Sequence, residues 1–164
     1  KAPYQLQPYG NAWYAINFDA NNDKWSDNEQ AIQSRELIVK FIDEACEHYP
    51  VDKNNVSLLG FSQGCILSFA VGLTYPEKIK NIIGLSGYIN EEIIDLKSAS
   101  AYKDLDIYTS HGSVDQVIPV DWARKTAPFL EKNKISYKYN EFPVGHGVAP
   151  QNFYELKSWL ETKL

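Results

Sequence analysis

Five consecutive residues, Gly60-Phe61-Ser62-Gln63-Gly64, place a hydroxyl where it can act as a nucleophile. They form the pattern G-x-S-x-G, which works only at a sharp turn from a strand into a helix. Such a turn thrusts the serine out of a sheet edge in a strained backbone conformation that flanking structure must hold. Side chains two residues to either side are expected to collide, which makes both positions glycine. Ser62 then stands at a helix N-terminus, whose dipole and free N–H groups favour developing negative charge. A random chain of this length shows such a pentapeptide about one time in twenty, so context decides. Val56-Ser57-Leu58-Leu59-Gly60 reads as a buried strand before it and Gly64–Tyr75 as an apolar helix after it, stopped by Pro76. The competing reading is an ordinary strand-to-helix turn with a capping serine.

A serine nucleophile needs a base within hydrogen-bond reach, and the base needs an acid to orient it. On a strand–turn–helix scaffold the order is Ser, then Asp or Glu, then His. Of His48, His111 and His146, only the last two follow Ser62. His146 lies in Pro143-Val144-Gly145-His146-Gly147, directly after a predicted strand, where flanking glycines suit a loop carrying an imidazole over the sheet edge. His111, in His111-Gly112-Ser113-Val114-Asp115, would leave no later acid–His pair, and reads as a structural histidine bonded to backbone. Asp115 is the best-placed acid. Asp104 and Asp106 precede a strand and lie at the opposite edge, and Asp121 reads as a cap or first-turn acid. Ser62, Asp115 and His146 thus each follow the C-terminal end of a different predicted strand, the edge where open α/β sheets carry their sites.

The elements that must position these groups alternate. Residues 1–27 are aromatic and turn-rich, with Tyr4, Tyr9, Trp13, Tyr14, Phe18 and Trp25, and read as an ordered loop with an extended piece at Trp13–Phe18. Ser26-Asp27-Asn28-Glu29 fits a capping box opening a helix that runs to about Glu47. Its inner face is expected to carry Ile38, Ile42, Ala45 and Cys46, with Arg35 elsewhere. Strands are expected at Ile82–Gly87, Asp106–Ser110 and Ser136–Phe142, and helices at Val120–Asn133 and Gln151–Leu164, the last with Phe153, Leu156 and Leu160 on one face. This order specifies an α/β fold with a mostly parallel sheet flanked by helices. Residues 1–164 read as a single domain.

Composition excludes other classes. The net charge is −5 and no Lys/Arg-rich run occurs, which argues against nucleic acid or an anionic membrane as partner. No apolar stretch approaches the roughly 20 residues of a membrane span. No metal-ligand cluster, phosphate-binding loop or dinucleotide fingerprint is present, so no cofactor and no metal are expected. Cys46 and Cys65 form no C-x-x-C, and read as buried reduced thiols of a cytoplasmic protein, with a disulfide as the lesser alternative.

Gly60-Phe61-Ser62-Gln63-Gly64, His111-Gly112-Ser113-Val114-Asp115 with Ile118-Pro119-Val120, and Gly145-His146-Gly147 together resemble the carboxylesterase/phospholipase family of α/β hydrolases, which includes acyl-protein thioesterases. Trp13-Tyr14 and Leu85-Ser86-Gly87 resemble family positions too. The resemblance implies an α/β-hydrolase fold and a lidless serine esterase acting on carboxylic, lysophospholipid or thioester bonds. It carries the nucleophile onto Ser62, the acid onto Asp115, the base onto His146 and one oxyanion donor onto the backbone N–H of Gln63. The expected partner is a small acyl ester or thioester, and the reading leaves room for a homodimer. Trp13, Val117 and Ile118 are candidates for substrate contact. The aromatic residues of the opening segment either line an acyl pocket or pack over the core.

Two departures stand out. Ala15 occupies a position where the family usually has an acid. The upstream His-Gly motif that supplies a second oxyanion N–H is absent, and the chain opens at Lys1-Ala2-Pro3, so the N-terminal strands of the fold are expected to be missing. That would leave the strand before Ser62 as an exposed apolar edge. The alternatives are a non-catalytic binding or scaffold protein on the same fold, and a peptidase or acyltransferase using the same three residues.

Overall fold

The computed structural model describes residues 1–18 and 24–163, and the side chains of all these except residues 17, 18, 24 and 25. Leu164, the expected end of the last helix, and the aromatic side chains of Phe18 and Trp25 lie outside what is described.

Four parallel strands form the main sheet in the order β5 (Ser57–Phe61), β6 (Asn81–Leu85), β7 (Asp106–Gly112) and β8 (Ser136–Phe142). Before them come two short antiparallel pairs: β1 (Tyr4–Gln5) with β2 (Asn11–Ala12), and β3 (Ile16–Phe18) with β4 (Lys24–Ser26). The opening segment is therefore less loop-like than its composition suggests. Helices α1 (Asn28–His48), α2 (Gln63–Thr74), α3 (Val120–Arg124), α4 (Thr126–Lys132) and α5 (Pro150–Glu161) connect and cover the strands.

The period-2 alternation of the strands sorts the core. Ile82 and Ile107 are in register and face α1, α2 and α4, meeting Val39, Phe69 and Leu130. Ile83 and Tyr108 point the other way, onto Leu156, Trp159 and Leu160 of α5. Each such fully buried aliphatic side chain stabilises the fold by about 1.5–3 kcal/mol. Helix α2 is buried from Cys65 through Thr74, as an all-round apolar helix must be. Among the described residues no helix is long and apolar enough to cross a membrane.

Several expectations need correcting. Asp27, not Ser26, caps α1: its Oδ1 accepts the Gln30 N–H at 3.0 Å, while Ser26 is held in β4 opposite Ile16. Arg35 is buried rather than outward. Its guanidinium pairs with Asp95 at 2.9 Å and donates to Ile93 O at 2.8 Å and to Thr74 Oγ1, tying α1 to the end of α2 and to the turn after β6. The helix expected over Val120–Asn133 is split at Lys125, because Pro128 has no N–H to give to Arg124 O. On α5, Phe153 faces solvent, and Asn152 shares the buried side with Leu156, donating to Ser110 Oγ at 2.8 Å and accepting from the Tyr108 hydroxyl at 2.9 Å. Cys46 is only partly buried; Cys65 is fully so, and both thiols are free.

Among the described residues strand β5 is one edge of the sheet, the expected exposed apolar edge, and of its residues Gly60 alone is buried, against the reading of a buried strand. Leu59, in register with buried Ile83, is 62% exposed, because α5 covers β6 and β7 and stops short of β5. Phe41 and Leu37 of α1 are exposed beside it. An apolar strand with open N–H and C=O groups is a template for pairing with another chain. Leu59→Lys should therefore lower concentration-dependent light scattering while shifting unfolding free energy by no more than about 0.5 kcal/mol, as exposed substitutions do. Unchanged scattering would show that this edge does not drive association.

Candidate active site

The turn between β5 and α2 is strained where chemistry would need it. Ser62 has φ 55° and ψ −118°, a conformation rarely taken by residues other than glycine. Its N–H donates to Leu85 O at 2.9 Å, and its carbonyl accepts from Ile66 N, so the turn is stitched to β6 and to α2 on either side. A Cβ at position 60 would stand 2.1 Å from Gly64 O and 2.6 Å from Cys65 N, so glycine is required there. The matching requirement expected at Gly64 is absent: a Cβ there meets nothing within 4 Å, since the position opens into the groove beside β5.

Gln63 begins α2, where the first N–H groups have no intrahelical acceptor. Its side chain is a clamp not foreseen from sequence. Oε1 accepts the Trp13 N–H at 3.0 Å, and Nε2 donates to Tyr14 O at 2.9 Å. Trp13 O in turn accepts from the Ser34 hydroxyl. The Trp13-Tyr14 segment is thus pinned over the elbow by hydrogen bonds from both helices.

His146 and Asp115 meet. The His146 Nδ1–H donates to Asp115 Oδ2 at 2.7 Å, leaving Nε2 as the nitrogen able to meet a hydroxyl. Asp115 Oδ1 accepts the N–H groups of Val117 at 2.8 Å and Ile118 at 3.0 Å. Burial opposes charge on this carboxylate, but His146 and the two N–H groups outweigh it and hold its pKa below the ordinary aspartate value. His111 is buried behind it. Its Nε2–H donates to Ile118 O at 2.9 Å and lies 3.3 Å from Asp115 Oδ2, while Nδ1 has no partner among the described residues. Asp106 sits at the far end of β7 paired with Lys163, and Asp121 in the first turn of α3 paired with Arg124.

The loop carrying His146 is fastened to the same strand ends as the elbow. Ser86, itself at φ 53°, donates from its hydroxyl to Gly147 O at 3.3 Å and from its N–H to Ser110 O at 2.9 Å. A Cβ on Gly112 would stand 2.1 Å from Gly145 O, so the loop lies directly on the end of β7. The Phe61 ring packs on the imidazole at 4.8 Å between centroids. Ser62, Asp115 and His146 are therefore gathered at one edge of the sheet. Among the described residues, no three His, Cys, Asp or Glu side chains converge as a metal site requires.

A cavity of about 250 Å³ opens beside Ser62, and Val117 and Ile118 line it, as does Tyr14. Trp13 does not. Held by its backbone on Gln63 and Ser34, it turns its side chain to the groove along β5. Sequence reading missed Asn28, Tyr88, Asn90, Glu92 and Trp122 as cavity residues. Tyr88, Asn90 and Glu92 follow the C-terminal end of β6, and that position was the available signal. Cys65 is sealed under Gly87, with burial pushing its thiol pKa up, and is a packed, protonated thiol.

A parallel sheet with helices on both faces and a serine elbow at its C-terminal edge defines an α/β hydrolase fold. It matches solved structures: esterase PE8 at TM-score 0.82 and 23% identity, covering 99% of this chain and 76% of that one, and a Mesorhizobium loti carboxylesterase at TM-score 0.79 and 16% identity, covering 96% and 71%. The phospholipase/carboxylesterase family model matches residues 1–164, and the chain belongs to that family of hydrolases. It is 28% identical over 158 residues to acyl-protein thioesterase 1 of Yarrowia lipolytica and to that of Kluyveromyces lactis, spanning 93% of this chain and 69% of each relative.

The elbow geometry separates its two glycines. Gly60→Ala should destabilise the protein by about 1–3 kcal/mol or more through overpacking. Gly64→Ala should be neutral or stabilise it by up to about 1 kcal/mol through helix propensity. Denaturant unfolding checks both, and equal effects would contradict this packing. Asp115 also makes a pH prediction. Its folded pKa is depressed, so its stabilisation is fully present above the unfolded value of about 3.9 and is lost as pH falls through the folded value. Asp115→Asn should flatten stability against pH in that acid window and leave the slope above about pH 5 unaltered.

Proposed function

We propose that this chain is a serine hydrolase that cleaves carboxylic ester or thioester bonds through an acyl-enzyme on Ser62. The observation that carries the reading is the 2.7 Å Asp115–His146 hydrogen bond, set at the sheet edge where Ser62 is held with φ 55°. Family membership and the thioesterase and carboxylesterase names of its relatives support the bond type. We read residues 1–164 as a single domain that carries the whole triad.

In this mechanism Ser62 Oγ attacks the acyl carbon as His146 Nε2 takes its proton. The carbonyl electrons move onto oxygen, and the N–H of Gln63 at the start of α2 stabilises that charge. Asp115 holds the imidazole in the tautomer with Nε2 free and stabilises the imidazolium that forms. Collapse expels the alkoxide or thiolate, which receives the proton from His146. Water, deprotonated by His146, then attacks the acyl-enzyme, and its collapse returns the proton to Ser62 and releases the acid. Despite its burial, the hydrogen bonds from His146 and two backbone N–H groups keep Asp115 ionised throughout.

A fluorophosphonate probe should label Ser62, and Ser62→Ala should abolish labelling and cut p-nitrophenyl ester turnover on the order of 10⁶-fold. Asp115→Asn should lower kcat by about 10⁴ through the wrong tautomer. Hydrolysis that persists unchanged in Ser62→Ala would overturn the assignment.

A further inference from the structure

His111 carries an imidazole that the proposed mechanism does not use. It stands near the C-terminal end of β7 and is 2% exposed. Its Nε2 lies 2.9 Å from Ile118 O and 3.3 Å from Asp115 Oδ2. Both neighbours are acceptors, so the ring proton sits on Nε2. Nδ1 then carries a lone pair, buried with no partner among the described residues. An unpaired buried polar atom is a cost, and an apolar side chain of similar size would avoid it. Packing alone therefore does not account for a histidine here, and the Nε2–H does.

That N–H holds the far end of the Asp115 loop. Residues 113–119, between β7 and α3, belong to no helix or strand. Ile118 is tied on both sides of its backbone. Its N–H donates to Asp115 Oδ1 at 3.0 Å, and its carbonyl accepts from His111. The Val117 N–H gives a second bond to the same carboxylate oxygen at 2.8 Å. The Asp115 side chain, wholly buried, is thus fixed at Oδ1 by a loop end that His111 anchors to β7. The His111 ring also lies against Oδ2, the oxygen that accepts from His146. Without the Nε2–H, the Ile118 carbonyl is left buried and without this donor, and its peptide turns to find another. The N–H groups on Oδ1 move with it, and the carboxylate that aims His146 is free to rotate. Small misplacement of a reacting group costs a large share of its rate.

We infer that His111 is a positioning residue of this site: by anchoring Ile118 O to β7 it fixes the Asp115 carboxylate that orients His146. The inference rests on the reading of Ser62, Asp115 and His146 as a triad. It adds to that triad a second imidazole that acts only through Asp115.

Three substitutions test it. His111→Leu keeps most of the bulk and removes the donor. His111→Gln places an amide nitrogen as many bonds from Cα as Nε2 and restores the bond to Ile118 O. His111→Asn holds its amide nitrogen only as far out as Nδ1, too short to reach, and stands in should the leucine variant fail to fold. With p-nitrophenyl acetate, His111→Leu should lower kcat about 10- to 100-fold with KM changed by no more than about twofold, and His111→Gln should bring kcat back to within about threefold of the unaltered protein. The rate at which a fluorophosphonate labels Ser62 should fall and recover in the same order. In an Asp115→Asn background, His111→Leu should slow that labelling by no more than about a further twofold, because its effect passes through Asp115. The low-field proton resonance of the Asp115–His146 hydrogen bond should be lost or shifted in the leucine variant and return in the glutamine variant. A folded leucine or asparagine variant with undiminished kcat, a glutamine variant no better than leucine, an unmoved resonance, or losses that multiply in Asp115→Asn protein would each overturn the inference. Labelling or turnover that does not depend on Ser62 would instead reject the nucleophile assignment on which it rests.

Discussion

The backbone of Ser62 is the constraint on which the rest of this structure depends. A φ of 55° in a serine stores about 1–3 kcal/mol, and that strain persists only because neighbouring structure fixes it. Leu85 O holds its N–H, α2 begins at the next residue, and Gly60 lets the incoming strand pass under the Gly64 carbonyl. Helix α2 can bear this load because it is buried for ten consecutive residues, Cys65 to Thr74, between α1 and the sheet. The strain at one residue is thus offset by burial spread along a whole helix.

The second partner is held by electrostatics. The Asp115 carboxylate is removed from water and compensated by two backbone N–H groups and the His146 ring, with His111 close behind. Removing one of these leaves a buried charge short of partners, which is costly. Ser86 links the two halves. It follows β6 directly after the Leu85 carbonyl that holds Ser62, and its hydroxyl holds the His146 loop at Gly147. The Ser62 turn and the His146 loop are therefore tied to the same strand end.

Much of this was legible in the sequence because the strands carry apolar runs at the right spacing. Asn81–Leu85, Asp106–Gly112 and Ser136–Phe142 lie close to where composition put them, and the Ser–Asp–His order follows from three strand ends at one edge. What was not legible depended on tertiary competition. Ser26 and Asp27 are both good caps, and only the pairing of Ser26 with Ile16 leaves the role to Asp27. Arg35 reads as a surface residue until Thr74, Ile93 and Asp95 converge on it from distant positions. Phe153 is apolar yet exposed, while Asn152 is buried by a hydrogen-bond chain no periodicity encodes. The cavity's polar and aromatic lining is of the same kind, with Asn28 from α1, Tyr88 and Asn90 from the segment after β6 and Trp122 from α3, three places that carry no shared motif.

The proposed mechanism requires Ser62 to form a covalent acyl intermediate. Rapid mixing with excess p-nitrophenyl ester, read by both absorbance and intact mass, measures this directly. The expected result is a burst of about one nitrophenolate per protein and an acyl mass adduct that peptide mapping places on Ser62. Steady turnover without burst or adduct, when deacylation has been slowed by low pH, would contradict it.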